Sequence, residues 1–234
     1  MSQTSSQWVS EGVTGAGTSG ARARKRRREI LEAAGGVISR RGVHHTRLID
    51  IADEAHVSIG MIQHYFRSRN NLVRETFRWK LEESLASYES RLQDDSTAWQ
   101  DVEHLCRMLT REPFEAINSL WLEFFSLCNR DPDFAALGSE LWERWAGRVR
   151  SVIDKGIKSG EFTTDSPSDD VAARFVSLAD GLGIRVVIHH KGMSVDRVYQ
   201  LLLEGAAREL GIALEREPSS AKGCWPTRSV AFGE

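Results

Sequence analysis

Residues 57–66 read VSIGMIQHYF, and the interpretation of this stretch decides the fold. It is too short for a stable isolated helix, and its glycine argues against a core strand. Ser58 is a strong helix N-cap, and Ile62 and Phe66 stand four apart on one helical face. Gln63, His64 and Tyr65 then crowd the C-terminal end with hydrogen-bonding groups that a core segment would avoid. Immediately upstream, Leu48, Ile51, Ala52 and Ala55 repeat the helical spacing behind Thr46, an expected N-cap, with a tight turn at His56-Val57 between. Two short helices joined in this way have the form of a helix-turn-helix, whose second helix lies in the major groove of DNA.

Working outward, the period stays helical. Ile30, Ala34, Val37 and Ile38 form one apolar stripe that stops at Gly42, and Ser68 can cap a longer helix carrying Leu72, Val73, Phe77, Leu81 and Leu85. Further helices are expected over roughly 97–110, 112–129, 132–159, 168–190 and 194–212. Their breaks are marked by Pro113, Asp131-Pro132, Gly160 and Gly192. No period-2 strand is visible. The expected fold is all-α: an N-terminal three-helix helix-turn-helix domain and a larger C-terminal helical domain, about nine helices in total. The expected boundaries are a disordered leader over 1–20, a DNA-binding domain with a basic arm over 21–67, a ligand-binding and dimerisation domain over 68–214, and a flexible tail over 215–234.

Charge agrees with this division. The formal net charge is −2, yet residues 21–80 hold 14 Lys/Arg against 6 Asp/Glu, so a basic first third sits on an acidic body. Arg22 to Arg28 contribute six of those charges in seven residues, which suits a phosphate-tracking or minor-groove arm built on Arg24, Arg26 and Arg28. No apolar run approaches the length needed to span a bilayer, so a cytoplasmic protein without a membrane partner is expected. Cys106, Cys128 and Cys224 form no CxxC pair and read as free thiols.

The run IADEAHVSIGMIQHYFRSRNNLV, preceded by RRREILEAAGGVISRRGVHHTRL, resembles the DNA-binding domain of TetR-family repressors. Thr46, Ile51-Ala52, Ala55, Val57-Ser58, Gly60, Ile62, Phe66, Ser68 and Leu72 fall in the register of that family's motif. The I-x-H-Y-F variant and the later WLEFF, NRDPDF, LWERW and DGLG segments are similar to the choline-responsive BetI branch. Three departures stand out: His56 replaces the usual turn glycine, Gln63 a frequent tyrosine, and Arg69 a lysine.

Residue chemistry and resemblance together suggest roles. Thr46, Arg47, Ser58, His64, Tyr65 and Arg69 are expected at phosphates, and Gly60 would let a phosphate strand approach. Ile59, Met61 and Gln63 are expected at bases, the apolar pair suiting thymine methyls and the amide suiting adenine. In the C-terminal domain Tyr88, Trp121, Phe124, Phe125, Trp142 and Trp145 suggest an aromatic cavity. With Glu115 or Glu123 nearby it would take an organic cation or another hydrophobic small-molecule effector. The family's dimer-forming helix pair maps onto Phe175, Ala179, Leu182, Gly183 and Val186, then Val198, Leu202 and Ala206. A two-fold homodimer would set two recognition helices about 34–36 Å apart on a palindromic double-stranded DNA operator.

Two other readings compete: a helical small-molecule-binding protein without DNA affinity, and a metal or thiol enzyme. No HExxH or ExxH pair is present, and the neighbours in His44-His45 and His189-His190 point about 100° apart on a helix, poor geometry for one metal. No catalytic residue, metal or cofactor is therefore expected. The basic first third and the motif register over 46–72 favour a ligand-responsive repressor.

Overall fold

The computed structural model describes residues 15–91 and 95–214. Among these the chain forms nine α-helices and no strand: α1 (Gly15–Arg41), α2 (Leu48–Glu54), α3 (Ile59–Phe66), α4 (Arg69–Glu89), α5 (Ala98–Leu109), α6 (Phe114–Cys128), α7 (Pro132–Ser159), α8 (Ser168–Val187) and α9 (Val195–Glu209). Side-chain caps fix most of the starts. The hydroxyls of Ser58, Ser68, Thr97 and Ser194 accept the N3 backbone N–H of α3, α4, α5 and α9, while Asp131 caps α7 ahead of Pro132.

The start of α1 corrects the expected leader, since residues 15–20 are helical; residues 1–14, the tail 215–234 and Cys224 lie outside the described residues. The basic segment is part of the same helix rather than an extended arm. Its repulsion is offset by Arg26–Glu29 at 2.7 Å, Arg27–Glu75 at 2.7 Å and Arg28–Glu83 at 3.8 Å, the last two reaching across to α4. Arg27 also lies over the Phe66 ring at 5.4 Å.

Three apolar clusters run the length of the molecule. Ile30, Leu31, Ala34, Val37, Ile51, Ala52, Ile62, Phe66 and Leu72 make the core of the helix-turn-helix. Ile38 near the end of α1 and Val43 just after it pack with Val73, Phe77, Leu81, Leu120, Phe124 and Leu141 into a second cluster that joins this domain to α6 and α7. The third cluster is enclosed by α5, α7, α8 and α9. Burial of each large side chain stabilises the fold by about 1.5–3 kcal/mol.

His56 sits at φ +52°, so the turn takes a left-handed residue despite the side chain. At the other end of the molecule, Gly156 has no room to vary. After the left-handed cap Gly160, the chain folds back so that a Cβ on Gly156 would lie 2.1 Å from the Phe162 ring. Gly156→Ala is expected to expel that ring at a cost of about 3 kcal/mol, lowering Tm by roughly 6–12 °C in a thermal melt. An unchanged Tm would contradict this packing.

The expected partner-facing residues are corrected here. Phe175, Leu182, Gly183, Val186, Val198, Leu202 and Ala206 are buried within the chain's own core, and Ala179 is half-buried against α6 and α7. Small and branched residues at helical spacing serve an interface and a core equally well, and α8 and α9 use them to pack inward. Their outward stripe is different. On α8 it comprises Ser177, Leu178, Gly181, Arg185 and Ile188, and on α9 Arg197, Glu204 and Arg208.

Candidate functional site

The helix-turn-helix presents one continuous outer face. Arg47, Ser58, Ile59, Gly60, Met61, Gln63 and His64 are all exposed, with Ile59 at 36% and Met61 at 39% relative exposure. Large apolar side chains rarely stand out together unless a partner covers them. Ile49 on α2, at 45%, extends the same apolar exposure and was not anticipated from its sequence. A Cβ on Gly60 would meet only the Ser58 hydroxyl at 3.9 Å, so nothing inside the chain requires glycine there and the free space is on the outer side. Tyr65 is half-buried, packed on the domain core and edge-on to His64 with ring centroids 5.4 Å apart.

Two expected phosphate contacts are corrected. Thr46 is 2% exposed; its hydroxyl donates to the Gly42 carbonyl at 2.8 Å, and the N-cap of α2 is Arg47 instead. Arg69 donates through Nε to the Thr46 carbonyl at 2.9 Å and through Nη2 to the Val43 carbonyl, so it braces the α1–α2 loop from below. Arg28 stays exposed, with only a loose ion pair to Glu83 on α4 at 3.8 Å. The loop folds back on itself because Gly42, at φ +76°, ends α1 and exposes carbonyls that these side chains satisfy.

In the C-terminal domain α4, α6, α7, α8 and α9 enclose a cavity of about 130 Å³. Trp121, Phe124 and Phe125 on α6 line it, facing Trp142 and Trp145 on α7. A dry cavity of about 150 Å³ accommodates benzene, so this one suits a guest of only a few heavy atoms. Phe125 and Trp142, each 38% exposed, stand at its rim, whereas Phe124 is buried and packs on Phe77 at 4.5 Å between ring centroids.

The acid in this cavity differs from the expected one. Glu115 is exposed in the first turn of α6, and Glu123 points to the α1–α2 loop; neither lines the cavity. Tyr88 does not line it either. It is fully buried 5.5 Å from the His104 ring, where burial first and then Asp101 push its hydroxyl pKa up. The lining carboxylate is Asp180 of α8, whose pKa burial alone raises to about 6. Its sequence signal is a lone acid in the apolar run SLADGLG, between residues expected at the partner, and Asp180 itself carries no expected role.

Asn118, Arg111 and Ser84 complete the polar lining. Arg111 is tied to the Ser87 hydroxyl at 2.7 Å, and Asn118 packs so tightly on α8 that a Cβ on Gly183 would lie 2.0 Å from its Oδ1. Cys106 is buried with its thiol pKa pushed up to about 12 by desolvation, which leaves it unreactive; Cys128 is half-buried and also free. Among the described residues no helix is long and apolar enough to cross a membrane, and no cluster of metal-ligating side chains occurs.

Comparison with known proteins agrees with this two-part construction. Residues 30–76 match the bacterial regulatory proteins of the tetR family, and residues 100–211 match the BetI-type transcriptional repressor C-terminal domain. The HTH-type transcriptional regulator BetI of Pectobacterium carotovorum is 26% identical over 197 residues, covering 79% of this chain and 94% of that protein. A transcriptional regulator from Saccharomonospora viridis, solved in complex with choline, is 30% identical with a TM-score of 0.69, covering 77% of this chain and 95% of that one. A TetR-family regulator from Rhodococcus sp. aligns at a TM-score of 0.72 over 80% of this chain and 99% of that one; at 20% identity it speaks to fold alone.

Proposed function

The chain belongs to the TetR family of transcriptional regulators, with a BetI-type C-terminal domain, and on that premise we propose that it is a repressor released from DNA by a small organic cation. The observation that carries this reading is one largely desolvated carboxylate, Asp180, in a small cavity whose mostly apolar wall includes Trp121, Phe124, Phe125, Trp142 and Trp145. Rings attract a quaternary ammonium through their π faces, by about 0.5–2 kcal/mol each when desolvated, and the carboxylate neutralises its charge. The Saccharomonospora viridis regulator was solved with choline, a small quaternary ammonium of this chemical class. Trp121, Trp142 and Trp145 form part of the wall, so intrinsic fluorescence reports occupancy directly. Choline is expected to produce a saturable change; a flat response to choline and other quaternary ammonium compounds would remove the cation from this reading.

The repressor works as a two-fold dimer. We assign its interface to the outward faces of α8 and α9, where Leu178 and Ile188 are exposed and Gly181 presents bare backbone. Arg185 on α8 and Glu204 on α9 offer complementary charge at the rim. Leu178→Asp places an unpaired carboxylate in the centre of that face. It is expected to yield a folded monomer by light scattering at micromolar concentration, and to weaken operator binding with it. A dimer of unchanged stability would shift the interface elsewhere.

At the DNA, Ile59, Met61 and Gln63 read bases while Arg47, Ser58 and His64 hold phosphates. The cation has only to bind the DNA-competent dimer less well than the alternative conformation, because that difference is the whole source of coupling. On the same reading the protein is non-catalytic and cytoplasmic, the compartment of its DNA partner.

A further inference from the structure

Glu123 stands on α6 between Trp121 and the Phe124–Phe125 pair, all of which line the cavity, yet its own side chain points the other way. Its Oε2 accepts the backbone N–H of Val43 at 2.8 Å, across 80 residues of sequence. The approach is close: a Cβ on the preceding Gly42 would lie 3.1 Å from Oε1. Val43 sits in the loop between α1 and α2, and its carbonyl is held in turn. It accepts from Arg69 at the start of α4 and from the Thr46 N–H at 3.2 Å.

The α1–α2 loop is therefore clamped from two sides, by Arg69 through its carbonyls and by Glu123 through an amide. Four residues beyond Val43 the chain reaches Arg47, the N-cap of α2, and α2 carries the recognition helix α3. The other links of the helix-turn-helix domain to the rest of the chain are less directional: Ile38 and Val43 pack into the apolar cluster with Leu120 and Phe124. Arg27–Glu75 and Arg28–Glu83 join α1 to α4 through partly exposed ion pairs, which solvent screens to about 0–1 kcal/mol. A half-buried carboxylate on a backbone N–H is directional and charge-assisted, and it links α6 directly to the loop.

We propose that Glu123 is the positioning residue that carries cavity occupancy to the DNA-binding domain. A guest that displaces α6 withdraws Glu123 from Val43, the loop is released, and α2 and α3 lose the orientation that the free protein holds ready for DNA. This inference rests on the repressor reading above, and it routes the signal through α6 and the α1–α2 loop rather than through movement of α4.

The test uses the full-length dimer, an operator duplex selected from random DNA, and choline as the probe. Without choline, Glu123→Ala is expected to bind the operator about tenfold more weakly than wild type, the size of one lost charge-assisted hydrogen bond. Glu123→Gln keeps an oxygen for the Val43 N–H and is expected to stay within about threefold. With saturating choline, the further loss of operator affinity is expected to be smaller in Glu123→Ala than in wild type, while choline affinity read from tryptophan fluorescence is the same in both. Equal operator affinity of Glu123→Ala and wild type without choline overturns the proposal, whatever the natural effector is. So does a lowered Tm with unchanged affinity per folded dimer, which marks a merely structural contact, and so does full choline-induced release from Glu123→Ala. A wild type whose fluorescence ignores choline counts against the cation reading of the cavity, and the choline-free comparison still decides the role of Glu123.

Discussion

Gln63→Glu is expected to reduce operator affinity by about two orders of magnitude or more, while Tm and choline affinity stay at wild-type values. The side chain is exposed in the middle of α3, outside the core that Ile62 and Phe66 enter, so the fold has no stake in it. An amide can donate and accept at one base edge at once, and such a contact is worth about 1–3 kcal/mol. A carboxylate cannot donate, and it is brought against a surface lined with phosphates. The dimer makes the contact twice, so the loss per site is doubled in free energy and squared as a ratio. Gln63→Ala should be milder and should relax selection at one base position in each half-site of the selected operator. Retained affinity in Gln63→Glu would mean that α3 does not lie in the groove as assigned.

The second large effect concerns Asp180. Burial raises its carboxyl pKa to about 6 without help from a neighbouring charge, so the folded chain holds that proton more tightly than the unfolded chain does. A raised carboxyl pKa makes stability fall as pH climbs from about 4 toward 6, and the loss persists at neutral pH. Asp180→Asn removes it, and the variant is expected to melt several degrees above wild type at pH 7. The same variant should bind choline about 30- to 100-fold more weakly, having lost the counter-charge in a low-dielectric site. In wild type, choline affinity should be level above about pH 7 and decline as the pH falls through 6, because only the carboxylate form attracts the cation. Arg111, the other charged group in the cavity lining, stays protonated throughout and cannot produce that dependence. In Asp180→Asn the pH dependence should vanish. A more stable protein that binds its effector worse identifies a site under functional load, and a variant that is neither would remove Asp180 from the cavity chemistry.

Most helices were legible because their starts are written in single residues. Ser58, Ser68, Thr97 and Ser194 each precede an apolar stripe and each caps the helix it announces. Thr46 looked identical in sequence, but the loop after Gly42 folds back and takes its hydroxyl inward, which depends on Arg69 from a helix 23 residues later. The acid of the cavity was misplaced for a reason of phase. Glu123 is two positions from Trp121, about 200° around the helix, so it could not share the face that Trp121, Phe124 and Phe125 present to the guest. Asp180 lies four residues after Val176 and three before Gly183, on the inward side of α8, and that side was invisible until the helix was known to pack against α6. The same uncertainty of facing misassigned the partner surface, since a stripe of alanine, glycine and valine does not say which neighbour it packs on. The basic segment was recognised as charge, whereas its helical form follows from Glu29, Glu75 and Glu83, two of which arrive from α4.

The most direct test puts both domains in one measurement. The full-length dimer is bound to a fluorescently labelled selected operator, choline is titrated in, and anisotropy is followed together with tryptophan emission. If a cation in the aromatic cavity releases the dimer from DNA, both signals should change over the same choline range, and Asp180→Asn should shift both to higher concentration. Emission that saturates while the operator stays bound, or operator release that is unaffected by Asp180→Asn, would contradict it.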